Sequence, residues 1–83
     1  MFYVYLLQSK KDSKQIYYGQ TTDLKRRFSE HNAGENTSTK RYCPWELMYY
    51  EAYPTHSVAL AREKQLKLYG KARTTLKKRL NLI

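Results

Sequence analysis

Glycine and proline at four positions are expected to separate the elements of this chain: Gly19, Pro44, Pro54 and Gly70. Proline lacks a backbone donor and glycine favours turns, so the elements between these positions must be short. We expect Gly19 and Pro54 to end strands and Gly70 to break a helix. The 83 residues are then one small domain, residues 1–83, with too few strands to close a barrel.

The segments before Pro44 predict a hairpin and a helix. Residues 2–8, FYVYLLQ, and residues 15–19, QIYYG, are rich in aromatic and β-branched side chains, and the polar run between them favours a turn. Asp23 is a good N-cap for a helix that runs from Leu24 to about Ala33. The chain therefore begins β-β-α.

The segments after Pro44 complete the order β-β-α-β-α-α. Residues 45–53, WELMYYEAY, alternate as a third strand. Residues 55–69 predict a helix capped by Thr55 or Ser57, and residues 71–80 predict a last short helix. The predicted fold class is α+β, an α/β layered domain in which three helices flank a small three-stranded sheet.

Positive charge is concentrated in the C-terminal part of the chain. The net charge is +9, from 16 Lys and Arg against 7 Asp and Glu, and eight of the basic residues lie from Arg62 onward. A one-sided positive field attracts polyanions, most commonly a nucleic-acid backbone; the alternative is a solvated basic surface without a partner. The residues expected to contact nucleic acid are Lys40, Arg41, Lys67, Lys71 and Arg73.

Cysteine content and hydropathy indicate the compartment. The lone Cys43 cannot form an internal disulfide, which favours a reducing, cytoplasmic setting. No apolar run approaches the roughly 20 residues of a membrane span. We therefore expect a cytoplasmic protein without a membrane partner.

The first predicted helix places polar residues beside its apolar stripe. At about 100° per residue, Leu24 and Phe28 point inward, while Arg27 and His31 lie together on one flank. Arg26 points away and can pair with Glu30, as on a solvated face. Arg27 is thus directed towards whatever lies beside the sheet.

The second predicted helix places a carboxylate among apolar residues. Around the helix axis, Glu63 lies between Ala59 and Leu60 on the inward face, and Leu66 lies beside Ala59. An unpaired buried carboxylate costs several kcal/mol, so Glu63 needs a partner. The pattern leaves three kinds open: an arginine, for which Arg27 is the candidate, hydrogen-bond donors, or a divalent metal ion.

Tyrosines of the predicted hairpin stand near these groups. Tyr3 and Tyr5 share one face of the first strand, and Tyr17 and Gly19 share one face of the second. Most of the nine tyrosines should serve packing. Phenols flanked by an arginine, a histidine and an inward carboxylate nevertheless contain what phosphodiester cleavage requires: a proton acceptor, a cation for the phosphate and a metal ligand.

Five segments together resemble the GIY-YIG endonuclease superfamily: YVY (3–5), YYG (17–19), LKRRFSEHN (24–32), PWELMYYEAY (44–53) and ALAREKQLK (59–67). The likeness spans essentially the whole chain and is to small stand-alone bacterial members, similar to the N-terminal nuclease domain of UvrC-type excinucleases. It implies an antiparallel sheet of three strands flanked by helices.

The resemblance also implies roles for five residues. Tyr17 would be the phenol near the attacking water and a general-base candidate, and Tyr5 would support the water or the phosphate. Arg27 would stabilise the pentacovalent phosphate, and His31 would orient groups or share in proton transfer. Glu63 would coordinate one Mg²⁺ or Mn²⁺, and its salt bridge with Arg27 would hold in the metal-free state.

The sequence therefore predicts a metal-dependent endonuclease acting on duplex or branched DNA, in repair or recombination. Tyr3 stands in place of the family's first glycine, and Tyr18 in place of its isoleucine. A partner protein or a second copy of the chain would supply target choice. The alternatives are a non-catalytic nucleic-acid-binding module with the same fold and, more weakly, a small RNA-binding protein.

Overall fold

The computed structural model describes residues 1–82, so Ile83, the last residue of the predicted domain, lies outside it. Its strands and helices are β1 (Phe2–Ser9), β2 (Ile16–Thr21), α1 (Leu24–Asn32), β3 (Trp45–Tyr53), α2 (His56–Leu68) and α3 (Gly70–Arg79). A short 3₁₀ turn, Lys40–Tyr42, precedes β3. The predicted α+β class and the order β-β-α-β-α-α are confirmed. Within the described residues, no helix has both the length and the apolarity needed to cross a bilayer.

Strand β1 is the centre of the fold. The sheet order is β2-β1-β3, and both pairings are antiparallel. On one face, Val4, Leu6 and Tyr18 pack with residues of α2 and α3. On the other face, Tyr5 and Leu7 pack with residues of α1 and with Trp45. Because β1 is buried on both faces, its side chains have fixed positions, and the site described below is built on it.

Two side chains begin the helices as predicted. The Asp23 carboxylate accepts a hydrogen bond from the Arg26 amide at 3.1 Å, and the Thr55 hydroxyl accepts one from the Val58 amide at 3.4 Å. Each satisfies a backbone donor that lacks an intrahelical partner. Of the two caps suggested for α2, Thr55 is the one used.

One predicted boundary is wrong, and it involves glycine. Gly19 does not end β2, which continues to Thr21. The predicted break between the last two helices is present, but it falls at Tyr69, and Gly70 is the first residue of α3. The reason at Gly19 is proximity, since a Cβ there would collide with the phenol of Tyr5. Glycine is used here for space rather than for a turn.

An ion pair joins β3 to α2 next to Glu63. Two nitrogens of Arg62 donate to Glu51 at 2.9 and 3.0 Å, and the hydroxyls of Tyr49 and Tyr53 donate to the same carboxylate. Burial alone would raise the pKa of Glu51, but the hydrogen bonds from Arg62 and the two phenols hold it below its usual value. Arg62 is directed at β3, so the side chain of Glu63, the next residue, points about 100° further around the axis of α2.

Candidate active site

The phenol of Tyr5 is enclosed at the centre of a polar cluster. The side chain is 2% exposed, and its hydroxyl lies 2.8 Å from Nε2 of His31. Burial raises the pKa of Tyr5 to about 12, although the nearby Arg27 guanidinium opposes that rise. Tyr17 and Glu63 are also close enough to raise it through their charge. Tyr5 therefore stays protonated at neutral pH and acts as a hydrogen-bonding group.

His31 is completely buried and links Tyr5 to the loop after α1. Its Nδ1 lies 2.7 Å from the Thr39 hydroxyl, which in turn donates to the carbonyl of Asn36 at 3.5 Å. We assign the direction that satisfies each group: Tyr5 O–H donates to Nε2, and Nδ1–H donates to Thr39. Sequence reasoning placed His31 on the correct flank but missed Thr39, because its loop resembles an ordinary polar connection.

Tyr17 is the more accessible of the two phenols. Its ring centroid lies 5.0 Å from that of His31 and 6.3 Å from that of Tyr5. The ammonium of Lys67 stands 5.7 Å from the Tyr17 ring centroid. Since Tyr17 is only partly buried, it can reach solvent or a substrate while Tyr5 cannot.

The predicted salt bridge between Glu63 and Arg27 is wrong. Arg27 donates to Glu30 at 3.1 Å, one turn along its own helix, and Lys67 lies 3.6 Å from Glu63. Each charge has a partner within three or four residues, so the longer connection is unnecessary. Arg26 also approaches Glu30, at 3.8 Å, as predicted.

Glu63 is suited to hold one metal ion together with water and substrate. Its side chain is 16% exposed, and among residues 1–82 no group of three His, Cys, Asp or Glu is arranged as a metal site. Magnesium commonly uses one or two carboxylates and completes its shell with water and phosphate oxygens. A single carboxylate fits that mode of binding if the Lys67 ammonium moves away from it.

The five residues predicted to contact nucleic acid lie in three parts of the chain: the turn before β3, α2 and α3. Lys40 and Arg41 are exposed in the turn before β3, and Lys71 is exposed on α3. Lys67 belongs to the cluster around Glu63. Arg73 donates to the carbonyls of Leu66 and Lys67 at the end of α2, at 3.2 and 2.5 Å, so its guanidinium already has structural partners.

Burial of His31 is expected to make the fold sensitive to acid. Burial, and then the nearby Arg27, lower the pKa of His31 to about 4, against about 6.5 in the unfolded chain. Between these values the unfolded state binds the extra proton, so stability is complete above pH 6.5 and is lost as the pH falls towards 4. We expect the free energy of unfolding to decrease by about 2 kcal/mol from pH 7 to pH 5.

Urea unfolding at the two pH values measures this decrease. His56, the other of the two histidines, is exposed at the start of α2 and supplies the control. The decrease should persist in His56→Gln and be reduced in His31→Gln. Equal stability of the unmodified protein at pH 7 and pH 5 would contradict the assignment of a neutral, buried His31.

Comparisons with known proteins agree with the fold described above. The profile of the GIY-YIG catalytic domain matches residues 1–77. A UPF0213 protein of Haloquadratum walsbyi is 43% identical over 68 residues, covering 81% of this chain and 74% of the relative. A UPF0213 protein of Streptococcus pyogenes is 39% identical over 66 residues, covering 78% and 70%. The solution structure of a UPF0213 protein from Bacillus halodurans superimposes with a TM-score of 0.56 at 33% identity, covering 92% of this chain and 82% of that one.

Proposed function

The chain belongs to the GIY-YIG catalytic domain family, and from this membership and the site geometry we propose that it is a metal-dependent endonuclease that hydrolyses phosphodiester bonds in DNA. The observation that carries the proposal is the convergence of unlike groups from four elements. β1 contributes Tyr5, β2 contributes Tyr17, α1 contributes Arg27 and α2 contributes Glu63. Packing alone does not call for a guanidinium, a carboxylate and two phenols at one place.

The two phenols have different proposed roles because their environments differ. Tyr17 is partly exposed and can hold the attacking water; as a phenolate it would accept the water's proton and become the neutral phenol. Tyr5 is buried and fixed by His31, so it donates a hydrogen bond and keeps the neighbouring groups in place. His31 and Thr39 are then positioning residues that act through Tyr5.

Charge stabilisation is assigned to α1 and α2. Arg27, partly exposed beside Tyr5, would neutralise the negative charge that develops on the phosphate. Glu63 would hold one Mg²⁺ or Mn²⁺, which supplies Lewis-acid stabilisation of the leaving oxygen when bound. Lys67 is already a cation beside Glu63 and Tyr17, and it would then be free to contact a phosphate oxygen.

The substrate, the cellular compartment and the choice of target complete the proposed function. The charge of +9 favours a polyanionic substrate, and we propose that this substrate is duplex or branched DNA. We also propose that residues 1–83 act as one domain in the cytoplasm, in DNA repair or recombination. A partner protein or a second copy would select the target.

One observation favours a second candidate, a non-catalytic nucleic-acid-binding module. Glu63 already has a cationic partner in Lys67 at 3.6 Å, so the site is electrically balanced without a metal ion. A protein that used the same fold only for binding could keep this pair as a structural contact.

Incubation with supercoiled plasmid and with branched DNA separates the two candidates. We expect nicking with Mg²⁺ or Mn²⁺ and none with EDTA, because the metal supplies part of the transition-state stabilisation. Arg27→Ala should cleave roughly 10²–10³-fold more slowly, while its DNA affinity, measured by fluorescence anisotropy, changes little. Tight binding without cleavage under either metal would replace the nuclease with the binding module.

A further inference from the structure

A groove separate from the phenol cluster opens between the start of α1 and the β1–β3 pair. Its volume is about 530 Å³, within the range of roughly 300–1,000 Å³ typical of small-ligand sites. The lining residues used in the argument are Tyr3, Leu24, Lys25, Phe28, Leu47 and Tyr50. The groove is large enough to receive a flat ring.

Two tyrosines form an aromatic wall of this groove. The rings of Tyr3 and Tyr50 meet edge to face, with centroids 6.0 Å apart and an interplanar angle of 66°. Tyr50 remains 53% exposed, which leaves much of its surface open to a ligand. Leu24, Phe28 and Leu47 supply apolar surface. An aromatic wall beside apolar side chains binds a planar ring by stacking.

The groove adjoins the proposed catalytic cluster. Tyr50 is directly opposite Tyr5 in the β1–β3 pairing, and Tyr3 lies on the same face of β1, two residues before Tyr5. Phe28, which lines the groove, follows Arg27 in α1. The groove and the cluster therefore share one face of the sheet, with the groove beside Lys25 on α1 and the cluster beside Arg27 on another flank of that helix.

Charge at the groove is suited to a nucleotide. Lys25 lines it and is exposed. Its ammonium can hold a backbone phosphate while a base occupies the aromatic part. The carboxylate of Asp23, also at the groove, accepts from the Arg26 amide.

We propose that this groove receives one unpaired nucleobase of the DNA substrate, stacked against Tyr50 and Tyr3. A base within an intact duplex must first be unpaired and unstacked, at a cost of a few kcal/mol, so the groove favours loops, bulges and single strands. Tyr3 is the distinctive element, since the glycine of the GIY pattern would leave no wall there. The inference rests on the proposed function for its substrate, DNA, and adds the structural class of that DNA.

Binding measured in EDTA, where no cleavage occurs, tests the groove independently of catalysis. The probes are a fully paired duplex and the same duplex with one unpaired 2-aminopurine. We expect the unmodified protein to bind the bulged duplex more tightly and to quench the 2-aminopurine. Tyr50→Ala should lose roughly five- to tenfold in affinity for the bulged duplex, the lower end of what one stacked base contributes.

Two variants make the result specific. Tyr50→Phe keeps the ring and should retain both affinity and quenching. Tyr69→Ala removes a tyrosine that is 63% exposed at the α2–α3 junction, away from the groove, and should also bind normally. Circular dichroism checks that each variant is folded.

The results that would reject the base-binding groove differ from those that would reject the nuclease. Equal affinity for the two duplexes, or equal loss of affinity in Tyr50→Ala for both, would overturn the base-binding groove, whether or not the protein cleaves DNA with metal. Quenching that depends on Tyr50, in a protein that never cleaves, would uphold the groove and reject the nuclease.

Discussion

Glu63→Gln is expected to reduce metal-dependent DNA cleavage by at least about a thousandfold. Glutamine keeps the shape of the side chain but removes the charge that would hold Mg²⁺ or Mn²⁺, and metal stabilisation of a phosphoryl transition state amounts to several kcal/mol. The partner of Glu63 in the metal-free protein, Lys67, is 45% exposed and can remain solvated. The fold should therefore survive the change.

Measurements of manganese binding and DNA affinity show whether Glu63→Gln loses cleavage activity because it no longer holds the metal ion. Electron paramagnetic resonance should show that Mn²⁺ binding is weakened in Glu63→Gln, while anisotropy shows DNA affinity unchanged or slightly improved. Glu35→Gln, which removes an exposed carboxylate after α1, is the matched control and should cleave normally. Full activity of Glu63→Gln would remove this carboxylate from the mechanism.

Tyr17→Phe and Tyr5→Phe are expected to fail in different ways. Loss of a proton acceptor typically costs about 10²–10⁴-fold in rate, so Tyr17→Phe should cleave that much more slowly with little change in stability. Tyr5→Phe, by contrast, leaves the buried Nε2 of His31 without its hydrogen-bond partner, and this costs roughly 1–3 kcal/mol of stability. The paired comparison distinguishes a phenol that contacts water from one that supports the structure.

Thermal unfolding and single-turnover cleavage measure the two effects. We expect Tyr17→Phe to cleave slowly with a normal melting temperature. We expect Tyr5→Phe to have a lowered melting temperature. If Tyr17→Phe cleaves at the normal rate while Tyr5→Phe is folded but inactive, the roles assigned to the two phenols must be exchanged.

Local patterns predicted most of the fold because this chain uses them consistently. The aromatic alternation of β1 and β3, the caps Asp23 and Thr55, and the apolar stripe of Leu24 and Phe28 each agree with the structure. Periodicity also placed Arg27 and His31 on one flank of α1 and Glu63 on the inner side of α2. These are properties of single elements, and single elements can be interpreted without their neighbours.

Features that depend on contacts between elements were not predictable. Helix geometry allows Arg27 and Glu63 to pair either within their own helices or with each other. Which pairing forms depends on the distances between the folded elements. Thr39 lies in a loop, and its contact with the buried His31 joins residues eight positions apart. The base-binding groove requires the register that brings Tyr50 beside Tyr5, which no local pattern specifies.

The absence of a side chain at Gly19 has a consequence for how this fold can diverge. The phenol of Tyr5 occupies the space that a methyl group at Gly19 would need, so a side chain can be added at position 19 only if residue 5 also becomes smaller. A variant library that randomises both positions should recover two classes: glycine at 19 with tyrosine or a smaller residue at 5, and a larger residue at 19 only with a smaller one at 5. The second class would keep the sheet but lose the link to His31, so a glycine at this point of β2 marks the descendants that can still position the histidine.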